Sequence, residues 1–352
     1  MKHTSRAMFT IFVAASVALA MSSCGTATNA GAPSGASGVQ AHKQYVLGWS
    51  DPQGKQPIFQ AFTSALEAAS QRENIKVIHL DARLDVGKQV SDIQTFITQK
   101  VDAIVTFPLD TQAMSPALAR AKAAGIKIIG YNALIGPPDN PPKVEAPFDV
   151  NVDMGYTRGA TLSGAFVAKA LHDEGNVIGL KLPAPVPSLI AMVDQYKVSV
   201  MTGHPDIKWL GIAPDNTDDL AGGNQGIADS ITRNNGNIDA VMSYTDVAGI
   251  GAYQALKAAG KTAIITGQQG SQTGIDAVKA DQIQADINVM PWMQAVWVTA
   301  VARDLIAGKT VPSFVNAPIQ FVTKENVSEY VPWQDGIQQI KDGKVSSAIV
   351  YK

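Results

Sequence analysis

The chain has one cysteine in 352 residues, Cys24, so no intrachain disulfide can form and the apolar core must supply the stability. Its five histidines (His3, His42, His79, His172 and His204) are scattered and form no metal-ligand spacing. There is no H-E-x-x-H, no phosphate loop and no G-x-S-x-G. Gly249-Ile-Gly251 lacks the third glycine of a dinucleotide fingerprint and lies inside an expected helix. These absences predict a protein that is not an enzyme, with no catalytic residue, no metal and no cofactor. Charge of one sign is also lacking: 28 basic residues stand against 30 acidic, and no Lys/Arg run suggests nucleic acid or an anionic membrane surface. Past the N-terminal segment, no apolar stretch approaches the ~20 residues that span a bilayer.

The N-terminus is different. Lys2 and Arg6 precede an apolar run from Met8 to Met21, and Ser22, Ser23 and Cys24 follow. A basic start, a short apolar stretch and small residues make a secretory signal, here residues 1–23. Met21-Ser22-Ser23-Cys24 resembles a bacterial lipobox, which implies lipidation of Cys24 as the new N-terminus. Three other readings stand beside it: a membrane anchor, for which the run is short, an ordinary signal cut near Thr28-Asn29-Ala30, which discards Cys24, and an incidental cysteine in a cytosolic core, where no helix begins this way. Residues 24–43 are dominated by Gly, Ala, Ser, Thr and Asn and read as a flexible tether with a reach of roughly 25 Å. The expected location is outside the cytoplasm, on a membrane lipid anchor that faces the periplasm or cell exterior.

From Gln44 one rhythm repeats: a short apolar run, a polar turn, then an Ala-rich amphipathic stretch. It predicts strands over 45–49, 76–80, 103–107 and 127–130, with helices over 57–73, 86–100 and 111–124. Gly136-Pro-Pro-Asp-Asn-Pro-Pro142 and Pro147 interrupt the pattern, which restarts at Tyr156 and runs to Ala307. Strands alternating with helices imply parallel sheets covered on both faces, here two doubly wound α/β lobes joined by a hinge. The expected division is residues 44–152 plus 290–316 for the first lobe and 153–289 plus 317–335 for the second. Crossovers are expected near Asp153, Val289 and Ala317, and residues 336–352 remain an unassigned tail.

In open parallel sheets a ligand binds beyond the carboxyl ends of the strands. The residues placed there are Trp49 and Asp51, then Asn132, then Asn216, Thr245, Asp246, Gln268, Gln269 and Trp292, with Phe59 nearby. Amides, hydroxyls and aromatic faces suit a small neutral hydroxyl-rich ligand, and no Arg stands at a tip to pair an anion bidentately. The aspartates, Asp51 and Asp246 among them, can equally be helix N-caps, and Trp292 can equally be core.

The residues from Gln44 to Val322 resemble a periplasmic sugar-binding protein of the type that serves ABC importers, the ribose-binding proteins among them. Gln56-Pro57-Ile58-Phe59 sits where that family has Asn-Pro-Phe-Phe. Ala240–Asp246 with Ala248–Leu256 resembles its strand and helix carrying an Asn-Asp pair, and Ile264–Gly270 resembles its Gly-Phe-Asp-Gly turn. The departures bear on the ligand. The family's sugar-clamping Asp-Arg reads Asn132-Ala133 here, its second-lobe Arg falls near Met192, and its Gln before the last hinge falls at Val289. Thr245 and Gln269 replace its Asn and Asp. The resemblance implies a type I periplasmic-binding-protein fold and an importer receptor for a less polar sugar, a linear polyol or another neutral solute. Its partners are then the permease and ATPase subunits, with no nucleic acid, and the receptor is a monomer. The alternative is a sensory receptor of the same fold that presents ligand to a chemoreceptor or histidine kinase.

Overall fold

The computed structural model describes residues 43–134 and 143–346. The signal, Cys24 and the tether lie outside the described residues, as do the Pro-rich 136–142 segment and residues 347–352.

The chain runs β1 (Tyr45–Asp51), α1 (Pro57–Arg72), β2 (Ile75–Asp81), α2 (Val86–Thr98), β3 (Ala103–Thr106), α3 (Thr111–Ala123), β4 (Lys127–Tyr131) and β5 (Val150–Asp153). It continues with α4 (Tyr156–Ala170), β6 (Glu174–Lys181), α5 (Pro187–Met201), β7 (Asp206–Pro214), α6 (Leu220–Arg233), β8 (Ala240–Ser243), α7 (Asp246–Ala258) and β9 (Ile264–Gln269). The remainder is α8 (Gln272–Lys279), β10 (Ala285–Asn288), α9 (Pro291–Ile306), β11 (Phe314–Asn316), β12 (Gln320–Thr323) and α10 (Trp333–Lys341).

Two six-stranded sheets result. The first has the order β11-β5-β4-β3-β1-β2 and the second β12-β10-β9-β8-β6-β7. Every described pairing is parallel except β10 with β12, so each sheet has one edge of strand starts and one edge of strand ends. β3, β5, β8 and β10 are buried along their whole length, as parallel strands covered on both faces must be. In the first lobe α1 packs on α9 and α10, and α2 packs on α3. In the second, α4 packs on α5, and α6 and α8 pack on α7.

The chain passes between the sheets at 154–155, 289–290 and 317–319. Gln294, fully buried at the start of α9, donates to the Met154 carbonyl at 3.2 Å and to that of Val289, and accepts from the Tyr131 hydroxyl. It thereby ties two crossovers to the first sheet. Arg158 ties the third, donating to the Ala317 carbonyl at 2.6 Å while paired with Asp153 at 3.2 Å.

α10 is a departure from the sequence reading, which split its residues between the second lobe and an unassigned tail. Trp333, Ile337 and Ile340 are buried and hold the helix on the first lobe. β5 and β11 were likewise unexpected, because each is short and flanked by irregular chain.

Candidate functional site

The strand ends of the two sheets meet across a cleft. Its lining combines Pro52, Gln53, Gln56, Phe59, Leu84, Phe107 and Leu109 from the first lobe with Tyr156, Leu182, Val186, Leu189, Asp218, Tyr244, Thr245 and Gln269 from the second. No Lys or Arg is among these lining residues. The half-open cleft has about 50 Å³ of water-accessible space, room for only a few water molecules.

Gln56 and Gln53 of the first lobe both reach Asp218 of the second across the cleft. Gln56, just ahead of α1, donates its amide to Asp218 Oδ2 at 2.6 Å and to the Asp218 carbonyl at 3.3 Å. Asp218 sits on the loop between β7 and α6. Oδ1 of neighbouring Asp215 accepts from the backbone N–H groups of Thr217, Asp218 and Asp219 at 2.8–3.4 Å, which folds the loop into shape. Tyr244 then lies 2.6 Å from Asp218 Oδ1 and 2.9 Å from Asp215 Oδ2. A phenol has one proton to donate, so a proton on one carboxyl completes the pair of contacts. Asp218 is suited to carry it, because burial raises its pKa.

The opposite wall is aromatic. Phe59 and Phe107 meet edge to face with ring centroids 5.3 Å apart. Pro57 at the first position of α1 fixes the entry of the helix that carries Phe59.

Of the residues placed at the site from sequence, Phe59, Thr245 and Gln269 line the cleft. Thr245 also caps α7, accepting from the Ala248 N–H at 3.2 Å. Gln269 has φ +131°, a backbone that L side chains rarely adopt, and such strain concentrates at binding turns.

The others are corrected by their surroundings. Trp49 is fully buried, packed on Phe62 and Tyr131, with its indole N–H donating to Thr63 at 2.8 Å, so it has no free face. Asp51 braces the lining loop from behind: it accepts from the Gln53 N–H at 2.8 Å and pairs with His79 at 2.8 Å, which raises the histidine pKa. Asn132 is buried near the first crossover, where its Oδ1 accepts from the Met154 N–H at 3.4 Å. Met192 is core of α5, and Asn216 is exposed outside the cleft. Gln268 points into the second-lobe core, accepting from Tyr196 at 3.3 Å. Trp292 is covered by α10, where a Cβ on Gly336 would lie 2.3 Å from the indole; only glycine permits that approach.

Asp246 lies under the turn that follows β9 rather than in it. It is fully buried and accepts from the N–H groups of Gly270 and Ser271, the latter at 2.7 Å. Asp286 on β10 is its neighbour, close enough that both carboxyls crowd Gly274. Desolvation lifts Asp246 to about 6 and pushes Asp286 well above the carboxylate range, so the pair shares a proton.

Sequence reasoning missed Gln53, Gln56, Tyr156, Asp218 and Tyr244, and the apolar group Leu84, Leu109, Leu182, Val186 and Leu189. Gln56 and Tyr244 lie within segments already singled out, and Tyr244 stands just beyond the end of β8.

The periplasmic binding protein domain matches residues 47–310, and the chain belongs to that family. The family is periplasmic, and no helix among the described residues is long and apolar enough to cross a membrane. The chain is 25 % identical over 283 residues to the ribose import binding protein of Bacillus subtilis (strain 168), covering 80 % of this chain and 88 % of that one. It is 29 % identical over 266 residues to the xylitol-binding protein of Mycolicibacterium smegmatis, covering 74 % and 72 %. Among solved structures, a Mycobacterium smegmatis protein in complex with β-D-fucofuranose superposes with a TM-score of 0.73 at 20 % identity, covering 85 % of this chain and 98 % of that one. That likeness shows the fold.

Proposed function

We propose that the protein is the solute-binding lipoprotein of an ABC importer, anchored through Cys24, which takes a small neutral sugar or polyol between its lobes and delivers it to a permease. The observation that carries this reading is the cleft itself. It pairs an aromatic and aliphatic wall with amides, hydroxyls and one carboxyl, and offers no cation to an anionic solute. The ribose and xylitol named for two relatives belong to the same chemical class. The narrow space means that a sugar enters only when the Gln56–Asp218 contact breaks and the lobes part about the three crossovers, a hinge motion. The lobes then comprise 44–152 with 290–316 and 153–289 with 317–332, and α10 rides on the first.

A thermal-shift screen of sugars, polyols, amino acids and sugar phosphates tests the ligand class. Ligand at a hundred times its dissociation constant stabilises by about 2.7 kcal/mol. Shifts confined to pentoses, hexoses or polyols support the reading; shifts confined to amino acids or sugar phosphates sink it. Labelling with a palmitate analogue tests the anchor: label retained in Cys24→Ala excludes it.

A further inference from the structure

Two of the loops that line the cleft have their backbone polar groups taken up from behind. In the first lobe, Phe107, Pro108 and Leu109 follow β3. Gln89, fully buried on α2, donates its amide to the Phe107 carbonyl at 2.8 Å and accepts from the Leu109 N–H at 2.9 Å. Pro108 between them has no N–H to offer. In the second lobe, the segment from Leu182 to Leu189 follows β6, and Pro183, Pro185 and Pro187 remove three of its donors. Lys181 is buried, and its ammonium donates to the Leu182 carbonyl at 2.6 Å and to the Ala184 carbonyl at 3.4 Å. The Val186 carbonyl accepts from the N–H groups of Leu189 and Ile190, each at 3.1 Å. A buried polar side chain thus braces each loop, the glutamine in one lobe and the lysine in the other.

What these loops bring to the cleft is hydrocarbon: Phe107 and Leu109 from one, Leu182, Val186 and Leu189 from the other. Ser188, the hydroxyl within the second loop, is buried and absent from the lining. Hydrogen-bonding side chains reach the cleft from other segments, among them Gln56, Tyr156, Asp218, Thr245 and Gln269. A solute hydroxyl pressed against the hydrocarbon loops would leave water and find no partner, whereas a methyl or methylene group there loses nothing.

We infer that the solute carries an unhydroxylated carbon edge, as a deoxy sugar or deoxy polyol does, and that this edge lies against the Phe107–Leu109 and Leu182–Leu189 loops. The inference rests on the sugar-or-polyol reading and narrows it. Calorimetry on the full chain tests it with pairs that differ by one oxygen: D-fucose against D-galactose, L-rhamnose against L-mannose, and 1,2-propanediol against glycerol. Any other sugar or polyol that raises the melting temperature is compared with its own mono-deoxy form. The deoxy member of at least one pair should bind about tenfold or more tighter than its parent. The variant L182Q/L189Q sets two amides in the wall at half-buried positions and should cut that preference to about threefold or less. Val186→Thr keeps the shape, adds a hydroxyl and puts a favoured capping residue ahead of α5, so it should fold and narrow the preference as well. The control Ile190→Gln, exposed on the same helix, should keep the preference of the parent. Parent sugars that bind as tightly as their deoxy forms in every pair would overturn the inference and leave the sugar reading standing. So would a preference that survives both L182Q/L189Q and Val186→Thr. Binding confined to amino acids or sugar phosphates would sink the reading and the inference together.

Discussion

The first lobe faces the cleft with Phe59, Leu84, Phe107 and Leu109 beside Gln53 and Gln56, whereas the second faces it with Asp218, Tyr244, Thr245 and Gln269 beside Leu182, Val186 and Leu189. The frames behind these walls correspond strand for strand, β3 with β8 and β4 with β9. Phe107 follows β3 and Tyr244 follows β8, so matching strand ends supply a bare ring on one side and a phenol bonded to carboxyls on the other. The turns after β4 and β9 differ as well. Asn132 takes φ +54°, a left-handed value that Asn tolerates, while Gln269 takes φ +131° and is followed by Gly270 at φ +74°. Duplicated architecture thus carries bare phenyl rings on one wall and a phenol bonded to carboxyls on the other, and the φ furthest from ordinary L-residue backbone, that of Gln269, falls on the second.

The sharpest way to break that asymmetry is Gly270→Ala. A Cβ there would lie 2.3 Å from the Asn288 Cα, a backbone atom that cannot rotate away, and the positive φ adds strain. The two effects together should cost about 3 kcal/mol or more, read as a fall in melting temperature with loss of the ligand-induced shift. Asn132→Gly, on the first lobe's turn, has no such clash to create and should melt far closer to the parent.

Gln269→Gly should separate stability from binding. Glycine accepts φ +131° without penalty, so the unliganded protein should melt higher. The amide that faces the cleft is lost, so affinity for a sugar or polyol should fall by roughly 1–3 kcal/mol in calorimetry. A variant that melts higher and binds as before would place Gln269 outside the ligand's reach.

Gln56→Ala joins the two walls in one test. Without the bond to Asp218 the unliganded protein should shift toward the open form, with a larger radius of gyration in small-angle scattering, and should reach the parent's value on saturation. The closed state loses about 1 kcal/mol, roughly a fivefold loss in affinity. Unchanged scattering without ligand would show that the crossovers, not Gln56, set the closure.

Most strands were legible because buried parallel strands read as apolar runs between amphipathic helices. β5 and β11 were not, being short and bordered by irregular chain. α10 was readable in principle, since Trp333, Ile337 and Ile340 repeat at helical spacing beyond Pro332. The site was legible as a place and poorly as a residue set. A polar residue at a strand end either reaches the ligand or braces the loop that does, and Asp51 and Asp246 brace. Leu84, Val186 and Leu189 lie in loops or a helix start and look like ordinary core until the lobes meet.

The buried acid pair gives the smallest and most specific effect. Asp246 and Asp286 titrate above an unfolded aspartate, so the folded state holds a proton that the unfolded chain releases near pH 4. Their contribution is fully present below that point and is lost as pH rises through about 6, where Asp246 ionises. Among the described residues the first lobe has no such pair under its matching turn, so this pH dependence belongs to the second lobe. Asp286→Asn keeps the shape and gives Asp246 an amide donor that does not titrate. The variant should melt about 2–4 °C above the parent near pH 8, and the gain should shrink toward pH 5. Parallel melting curves across that range would mean that the carboxyls do not share a proton, and that the turn rests on the Gly270 and Ser271 N–H bonds alone.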